Sequence, residues 1–356
     1  MTIIDTTAPV APEAPTSPGQ GEGDVPGGTA PTPMKHRKKK IAALLTLLLI
    51  FAAVVAWYLN TGKPLTQLPG LSVAQVPSYK FSIYGSTKPL GVAVTPSGDR
   101  IYVTEAAGDR LVRVYNSEGK QTGILKPPAP AGVAHTPVYV AINPVTNEVY
   151  VSDRATAAVY VYDDKGTYVR TFAPRGDYGG GWAPLGLAFD KTGNLYATDV
   201  SGKTHRVLVF APDGALVRSM SAPGPTLLTF PNGIAIDKHG NAQVADSNNG
   251  RIVVFDPTGK VLATINRGVG DGDLGMPRGV AVDDASRLFV ADTVDHMVRV
   301  YDVGDSKTAT PKYIGSFGAM GQADGMFQYP NGVATDTHAQ VYITDRDNNR
   351  VQVWGY

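Results

Sequence analysis

Six acidic residues recur at the ends of short apolar runs: Glu105, Asp153, Asp199, Asp246, Asp292 and Asp345. Carboxylates repeated in this way could serve as general acids and bases, or could share a cation. Four of them have an arginine a few residues on, as in Glu105 with Arg110, Asp199 with Arg206, Asp246 with Arg251 and Asp345 with Arg350. Ala158 and Met297 stand where the second and fifth acids would have theirs. An acid and an arginine five apart across one loop suit an internal ion pair or a cap on loop amides. All six acids therefore read as structural, and no catalytic residue is expected among them.

A second series is more open to chemistry. Each repeat begins with a proline, and the residues after those prolines are Leu90, Val138, Leu185, Asn232, Arg278 and Asn331. Half are apolar and half polar, the composition of a small-ligand site with apolar walls and a few oriented polar groups. Asn232 and Asn331, each followed by Gly, also suit plain turn chemistry. Arg278 has no such reading. Tyr178-Gly179-Gly180-Gly181-Trp182 sets two aromatics beside flexible glycines, as an adaptable contact surface would. Trp182 also reads as a wedge filler, matching Leu274 and Phe327 in other repeats. The candidate binding residues are thus Asn232, Arg278, Asn331, Tyr178 and Trp182.

Metal and cofactor chemistry finds little to use. There is no Cys, which excludes disulfides, thiolate zinc sites and Cys nucleophiles. His135, His205 and His296 fall in loops at unmatched positions. His239 and His338 fall in turns on the other face, and His36 lies in the N-terminal tail. Three convergent imidazoles are not expected. No Gly-x-Ser-x-Gly, Walker or His-Glu-x-x-His spacing occurs. Neither a metal nor a cofactor is expected.

The elements that carry these residues form one repeated unit. Prolines 89, 137, 184, 231, 277 and 330 are spaced by 48, 47, 47, 46 and 53 residues. Each opens a short strand with Ala at its middle (Ala93, Ala141, Ala188, Ala235, Ala281 and Ala334). A turn follows, then a second strand ending in the acid, a polar loop, and a third strand ending in an aromatic. A tight turn leads to a fourth strand. Period-two alternation with β-branched and aromatic residues supports strands throughout. Four antiparallel strands repeated six times predict an all-β, six-bladed propeller over residues 79–356.

The ends of the chain test this prediction. It stops just after the third strand of the last unit, and residues 79–85 read like the missing fourth strand. They should complete blade six and close the ring, removing the open edges. Alternation then places the post-proline residues and the loops after the acids on one face, here called the top. The chain enters from the bottom.

The first sixty residues stand apart. Residues 1–40 form a Pro-rich tail expected to be disordered, ending in the basic cluster Lys35-His36-Arg37-Lys38-Lys39-Lys40. Ile41 to Leu59 is free of charge and, at ~1.5 Å per residue, long enough to cross a bilayer as one helix. The basic cluster before it predicts a cytoplasmic N-terminus and an extracytoplasmic propeller. Residues 60–78 hold Pro64, Pro69 and Pro77 and read as a stalk. The tail has five Lys/Arg and four Asp/Glu, which leaves 27 of each in the rest. A neutral exported part argues against nucleic acid as partner.

The repeats resemble NHL repeats. Val341-Tyr342-Ile343-Thr344-Asp345-Arg346-Asp347-Asn348-Asn349-Arg350-Val351-Gln352-Val353-Trp354 is nearly a consensus copy, and Asp246-Ser247-Asn248-Asn249-Gly250-Arg251-Ile252 is a second strong match. The resemblance implies a six-bladed propeller. It leaves function open, because such propellers include scaffolds, sensors, RNA binders and a lyase. That lyase holds zinc through His at post-proline positions, and none of the six here is His. The expected function is a membrane-anchored, non-enzymatic binding or scaffold module. It would take a protein, small molecule or glycan on its membrane-distal top face. The alternative is a channel-centred hydrolase or lyase, with a bound metal as one form of it.

Overall fold

The computed structural model describes residues 43–52, 55–56, 76–128, 132–222, 227–266, 272–304 and 310–356. The expected tail 1–40, both ends of the apolar run 41–59 and the stalk up to residue 75 lie outside them. The chain divides into two units, residues 1–53 and 54–356. In the first, residues 43–52 are helical, as their Leu and Ala content favours. Leu44, Leu45, Leu47, Leu48, Leu49, Ile50 and Phe51 are all exposed on it. No helix among the described residues is long and apolar enough to cross a membrane.

The second unit is a six-bladed β-propeller, made of six four-stranded antiparallel sheets. Blade one shows the pattern, with β2 (Pro89–Val94), β3 (Ile101–Glu105), β4 (Val112–Tyr115) and β5 (Gln121–Leu125) in sequence order from the axis outward. The other innermost strands are β6 (Pro137–Ile142), β10 (Pro184–Phe189), β14 (Pro231–Ile236), β18 (Pro277–Val282) and β22 (Pro330–Thr335). Each adjoins the next around the axis, and β22 adjoins β2.

Blade six closes the ring. Its order is β22, β23 (Gln340–Asp345), β24 (Arg350–Gly355) and then β1 (Ser78–Tyr84). β1 runs antiparallel to β24, with Ser78 opposite Gly355 and Tyr84 opposite Arg350. The first strand of the propeller thus supplies the outer strand of its last blade, and it starts on the bottom face.

The recurrent Pro-x-Gly has a geometric cause. Every proline pairs with the acid ending the second strand, as Pro89 with Glu105 and Pro330 with Asp345. The register then slips before pairing resumes at the residue after the glycine. This is a bulge at the start of the strand, where proline's missing N–H does no harm. The bulge turns the glycine toward the next blade. A Cβ on Gly279 would lie 2.2 Å from the Asn331 carbonyl oxygen, and one on Gly332 would lie 2.5 Å from that of Leu90. Between blades the core is aromatic and β-branched. Trp354, for example, stacks on Phe327 with ring centroids 5.7 Å apart.

Candidate functional site

The six acids are fixed from several sides. Each is buried. Each accepts a backbone N–H from just before the proline of its own blade: Thr87, Thr136, Ala183, Thr229, Met276 or Gln328. Asp199, Asp246 and Asp345 pair with Arg206, Arg251 and Arg350 at 3.0, 2.6 and 2.8 Å. Glu105 pairs with Arg113 at 2.7 Å, not with Arg110, which instead turns toward the His135 carbonyl. Blade five has an arginine after all, since Arg299 reaches back from β20 (Met297–Asp302) to Asp292 at 3.2 Å. Blade two uses His135, whose Nδ1 is 2.8 Å from Asp153. Burial pushes the Asp292 carboxyl up, against the amides of Gly275 and Met276 and the Arg299 guanidinium.

Just before each acid lies a relay that sequence reasoning missed. The Thr104 hydroxyl accepts the Gly91 N–H and donates to the Val138 carbonyl of the next blade at 2.8 Å. Ser152 does the same for Leu185, Thr198 for Asn232 and Thr344 for Leu90. Blades four and five break the pattern, because Ala245 and Ala291 occupy that place. The carbonyls left without this hydroxyl belong to Arg278 and Asn331. There Ser247 and Thr293 donate instead to the Pro277 and Pro330 carbonyls.

The channel itself is nearly filled. Tyr139 replaces the glycine of the other five blades, and it packs with Val138 and Leu185. It leaves a cavity of about 40 Å³ bordered by Gly233, Gly279 and Gly332 on the opposite side. That is room for a few waters, since roughly 10–15 Å³ of such space already holds one. Burial pushes the Tyr139 phenol well above its usual range, and the charge of Arg278 opposes this. The Tyr139 hydroxyl, the Arg278 Nε and the Asn331 Nδ2 are buried without a hydrogen-bond partner. Tyr139 is 8% exposed and Asn331 1%.

The five predicted binding residues separate into two groups. Asn232 donates to the Ser247 hydroxyl at 2.8 Å and to the Phe230 carbonyl, so its amide holds the turn. Tyr178 and Trp182 both pack edge-on against Phe210, with centroids 6.2 and 5.5 Å away. The Tyr178 carbonyl also accepts from Arg206. These two aromatics fill a wedge between blades. Arg278 and Asn331 remain at the mouth.

Around the mouth runs a collar of cations and aromatics. The residues before three prolines, Lys88, Phe230 and Tyr329, have positive φ of 48°, 56° and 53°. Bulky residues rarely adopt this conformation. Each is held by the loop of the preceding blade. Lys88 N–H donates to Asn349 Oδ1, Phe230 N–H to His205 Nδ1 and Tyr329 N–H to His296 Nδ1. His205 and His296 therefore occupy matching places, contrary to the sequence expectation, each directly before a third strand. The Arg154 guanidinium lies 5.7 Å over Phe230, and that of Arg346 lies 5.2 Å over Tyr329. Among the described residues, no group of three or more His, Cys, Asp or Glu stands together as a metal site would require.

Comparison with known proteins matches this architecture. An NHL repeat model matches residues 228–255 and 327–354. Protein brain tumor of Drosophila melanogaster is 25% identical over 164 residues, 46% of this chain and 15% of that protein. A probable peptidyl-alpha-hydroxyglycine alpha-amidating lyase of Caenorhabditis elegans is 26% identical over 201 residues, 50% of this chain and 57% of the lyase. The matched stretches thus cover less than two thirds of either relative. Among solved structures, a streptogramin B lyase superposes with a TM-score of 0.52 at 12% identity, over 80% of this chain and 99% of its own. Virginiamycin B lyase of Staphylococcus aureus gives 0.53 at 13% identity, over 78% of this chain and all of its own. At such identities the likeness is one of fold. Residues 228–255 and 327–354 match the NHL repeat, and the described residues fold as a six-bladed β-propeller.

Proposed function

We propose that this chain is a membrane-anchored binding module that docks its partner on the top face of the propeller, outside the cytoplasm. The observation that carries the reading is an asymmetry of charge. The buried acids are all bound within the blades, whereas Arg154 and Arg278 at the mouth have no carboxylate partner among the described residues. Together with Phe230 and Tyr329 they make a cationic, aromatic surface around a filled channel. Tyr and Arg are, with Trp, the residues enriched at the hot spots of protein interfaces. Ile41–Leu59 is the anchor, and the basic cluster before it keeps the N-terminus inside.

The test uses the full chain in its membrane. A photo-crosslinking residue is placed at Tyr329 on the top face or at Thr258 in a bottom turn. Adducts should form from Tyr329 alone. Equal adducts from both positions, or adducts from Thr258 alone, would refute the reading. A membrane-impermeant amine reagent should label the propeller lysines and spare Lys38–Lys40.

Hydrolase or lyase chemistry is the second reading, and one observation favours it. His135 is bonded to Asp153 through Nδ1 while its buried Nε2 has no partner, the arrangement of a general base oriented by a carboxylate. It borders a groove of about 640 Å³ between blades one and two, with Arg110, Lys126 and Ile124. On this reading, His135→Gln abolishes any turnover while the fold survives.

A further inference from the structure

We infer that the channel mouth holds a carboxylate, seated on Arg278 with the Tyr139 hydroxyl and the Asn331 amide as further donors. The inference rests on the top-face docking reading and names the chemical group that docks.

Three buried polar groups on the innermost strands lack partners: the Tyr139 hydroxyl, the Arg278 Nε–H and the Asn331 Nδ2 amide. Arg278 and Asn331 hold the post-proline positions of neighbouring blades, and the Arg278 charge acts on the Tyr139 phenol. A buried donor left unpaired is costly, and native structures rarely keep one without a reason. All three can donate, so the missing partner is an acceptor from outside the chain. The Arg278 guanidinium has only the Met276 sulfur near its Nη2, at 3.9 Å.

The hydroxyl relay points to the same two residues independently. It serves the post-proline carbonyls of Leu90, Val138, Leu185 and Asn232. It is missing at Arg278 and Asn331, where Ala245 and Ala291 supply no hydroxyl. Two of the three polar residues of the mouth, Arg278 and Asn331, are thus the ones this relay leaves unserved, while Asn232 is served by Thr198.

The chemistry selects among anions. One guanidinium and two neutral donors suit a planar monoanion, which arginine binds through paired N–H groups. A phosphate dianion would need more positive charge. Leu90, Val138 and Leu185 form the opposite wall, packed with Tyr139 and Phe230, and suit an alkyl or aryl substituent.

A free organic acid and the C-terminus of a partner peptide both present this group. The full chain in detergent micelles is titrated with benzoate, inorganic phosphate, and a hydrophobic hexapeptide with a free or an amidated C-terminus. Binding is read by ligand-observed NMR, and folding by near-UV circular dichroism. Benzoate, or the free-acid peptide but not its amide, should bind saturably; the first result points to a free acid and the second to a chain terminus. Losing a hydrogen bond to a charged group costs about 10- to 100-fold in affinity, so Arg278→Met should weaken binding by that much. Arg278→Lys should restore part of it. Tyr139→Phe, which keeps the ring in the channel, should weaken it several-fold. Lys260→Glu, in an exposed bottom turn, should leave it unchanged.

Phosphate binding above carboxylate, or equal binding by folded Arg278→Met and the parent, would overturn the inference. Absence of carboxylate binding while crosslinking at Tyr329 persists would overturn it alone. If crosslinking at Tyr329 fails as well, the docking reading falls with it.

Discussion

Tyr139 of blade two and Arg278 of blade five act on each other across the channel: burial raises the phenol's pKa, and the guanidinium pulls against that rise. The phenol fills space that five other blades leave to glycine, yet its hydroxyl has no partner. Ring and hydroxyl can therefore be separated. Tyr139→Phe should change unfolding free energy by less than about 1 kcal/mol, because no intramolecular hydrogen bond is lost. Tyr139→Gly empties the channel and should cost about 3–5 kcal/mol, as for other large-to-small core changes. Urea titration of both variants checks this, and equal costs would refute the separation.

Alkali should unfold the propeller through its buried phenols. Burial raises Tyr139, Tyr162, Tyr301 and Tyr342 above their usual value, and Tyr356 is pushed up to about 12. The unfolded chain loses these protons first, near the ordinary 10.0. Above that pH it binds fewer protons than the native state, so stability falls as pH rises. The contribution is intact below 10.0 and, for Tyr356, is lost as pH climbs through about 12. Each such phenol should add a slope of about 1.4 kcal/mol per pH unit within its window. Denaturant midpoints that stay flat from neutral pH to pH 11 would contradict this.

Two glycine substitutions should behave oppositely. A methyl on Gly279 would sit 2.2 Å from the Asn331 carbonyl oxygen, and only backbone movement could relieve it. Gly279→Ala should cost at least about 1–3 kcal/mol by overpacking. A methyl on Gly123 would meet the Val114 side chain at 3.8 Å, an ordinary contact. Gly123→Ala, in an outer strand, should be neutral within about 0.5 kcal/mol or mildly stabilising. Thermal melting of the pair decides it.

Deleting residues 78–84 should open the ring. β24 would lose its outer partner and expose a row of unpaired backbone groups, and Ile83, 2% exposed in the closed ring, would go with the strand. Exposed edges invite pairing between chains. Size-exclusion chromatography should show higher oligomers or aggregate in place of the parent species, and an unchanged profile would refute the role of this strand.

Much of this architecture was legible in the sequence, for reasons that are local. The recurring proline opens the same bulge in every blade, and the glycine two residues on allows close approach of the next blade in five of them, so the six innermost strands stand out in the text. Ion partners were harder. Arg113 and Arg299 lie on third strands and reach back toward their acids, and such reach depends on register and side-chain length rather than spacing. His205 and His296 share one structural place, but loops of different length hide it. Tyr139 left a plain signal, as the single large residue at a glycine position. The broken hydroxyl relay was visible too, as Ala245 and Ala291 in a column of Thr and Ser. Tyr178 and Trp182 could not be sorted by type alone, because an aromatic beside glycines looks the same on a surface as in a wedge.

The pairing of β1 with β24 also decides how the module bears a pull. Ser78 lies at the bottom end of β1, opposite Gly355, and the strand runs from there toward the top face. A tether tugging at Ser78 against a partner held on the top face loads β1 along its own length. The rungs from Ser78–Gly355 to Tyr84–Arg350 are then sheared together rather than peeled apart one by one. On the anchored, top-face docking reading proposed above, the closing strand is thus a mechanical latch in the line of force between tether and partner.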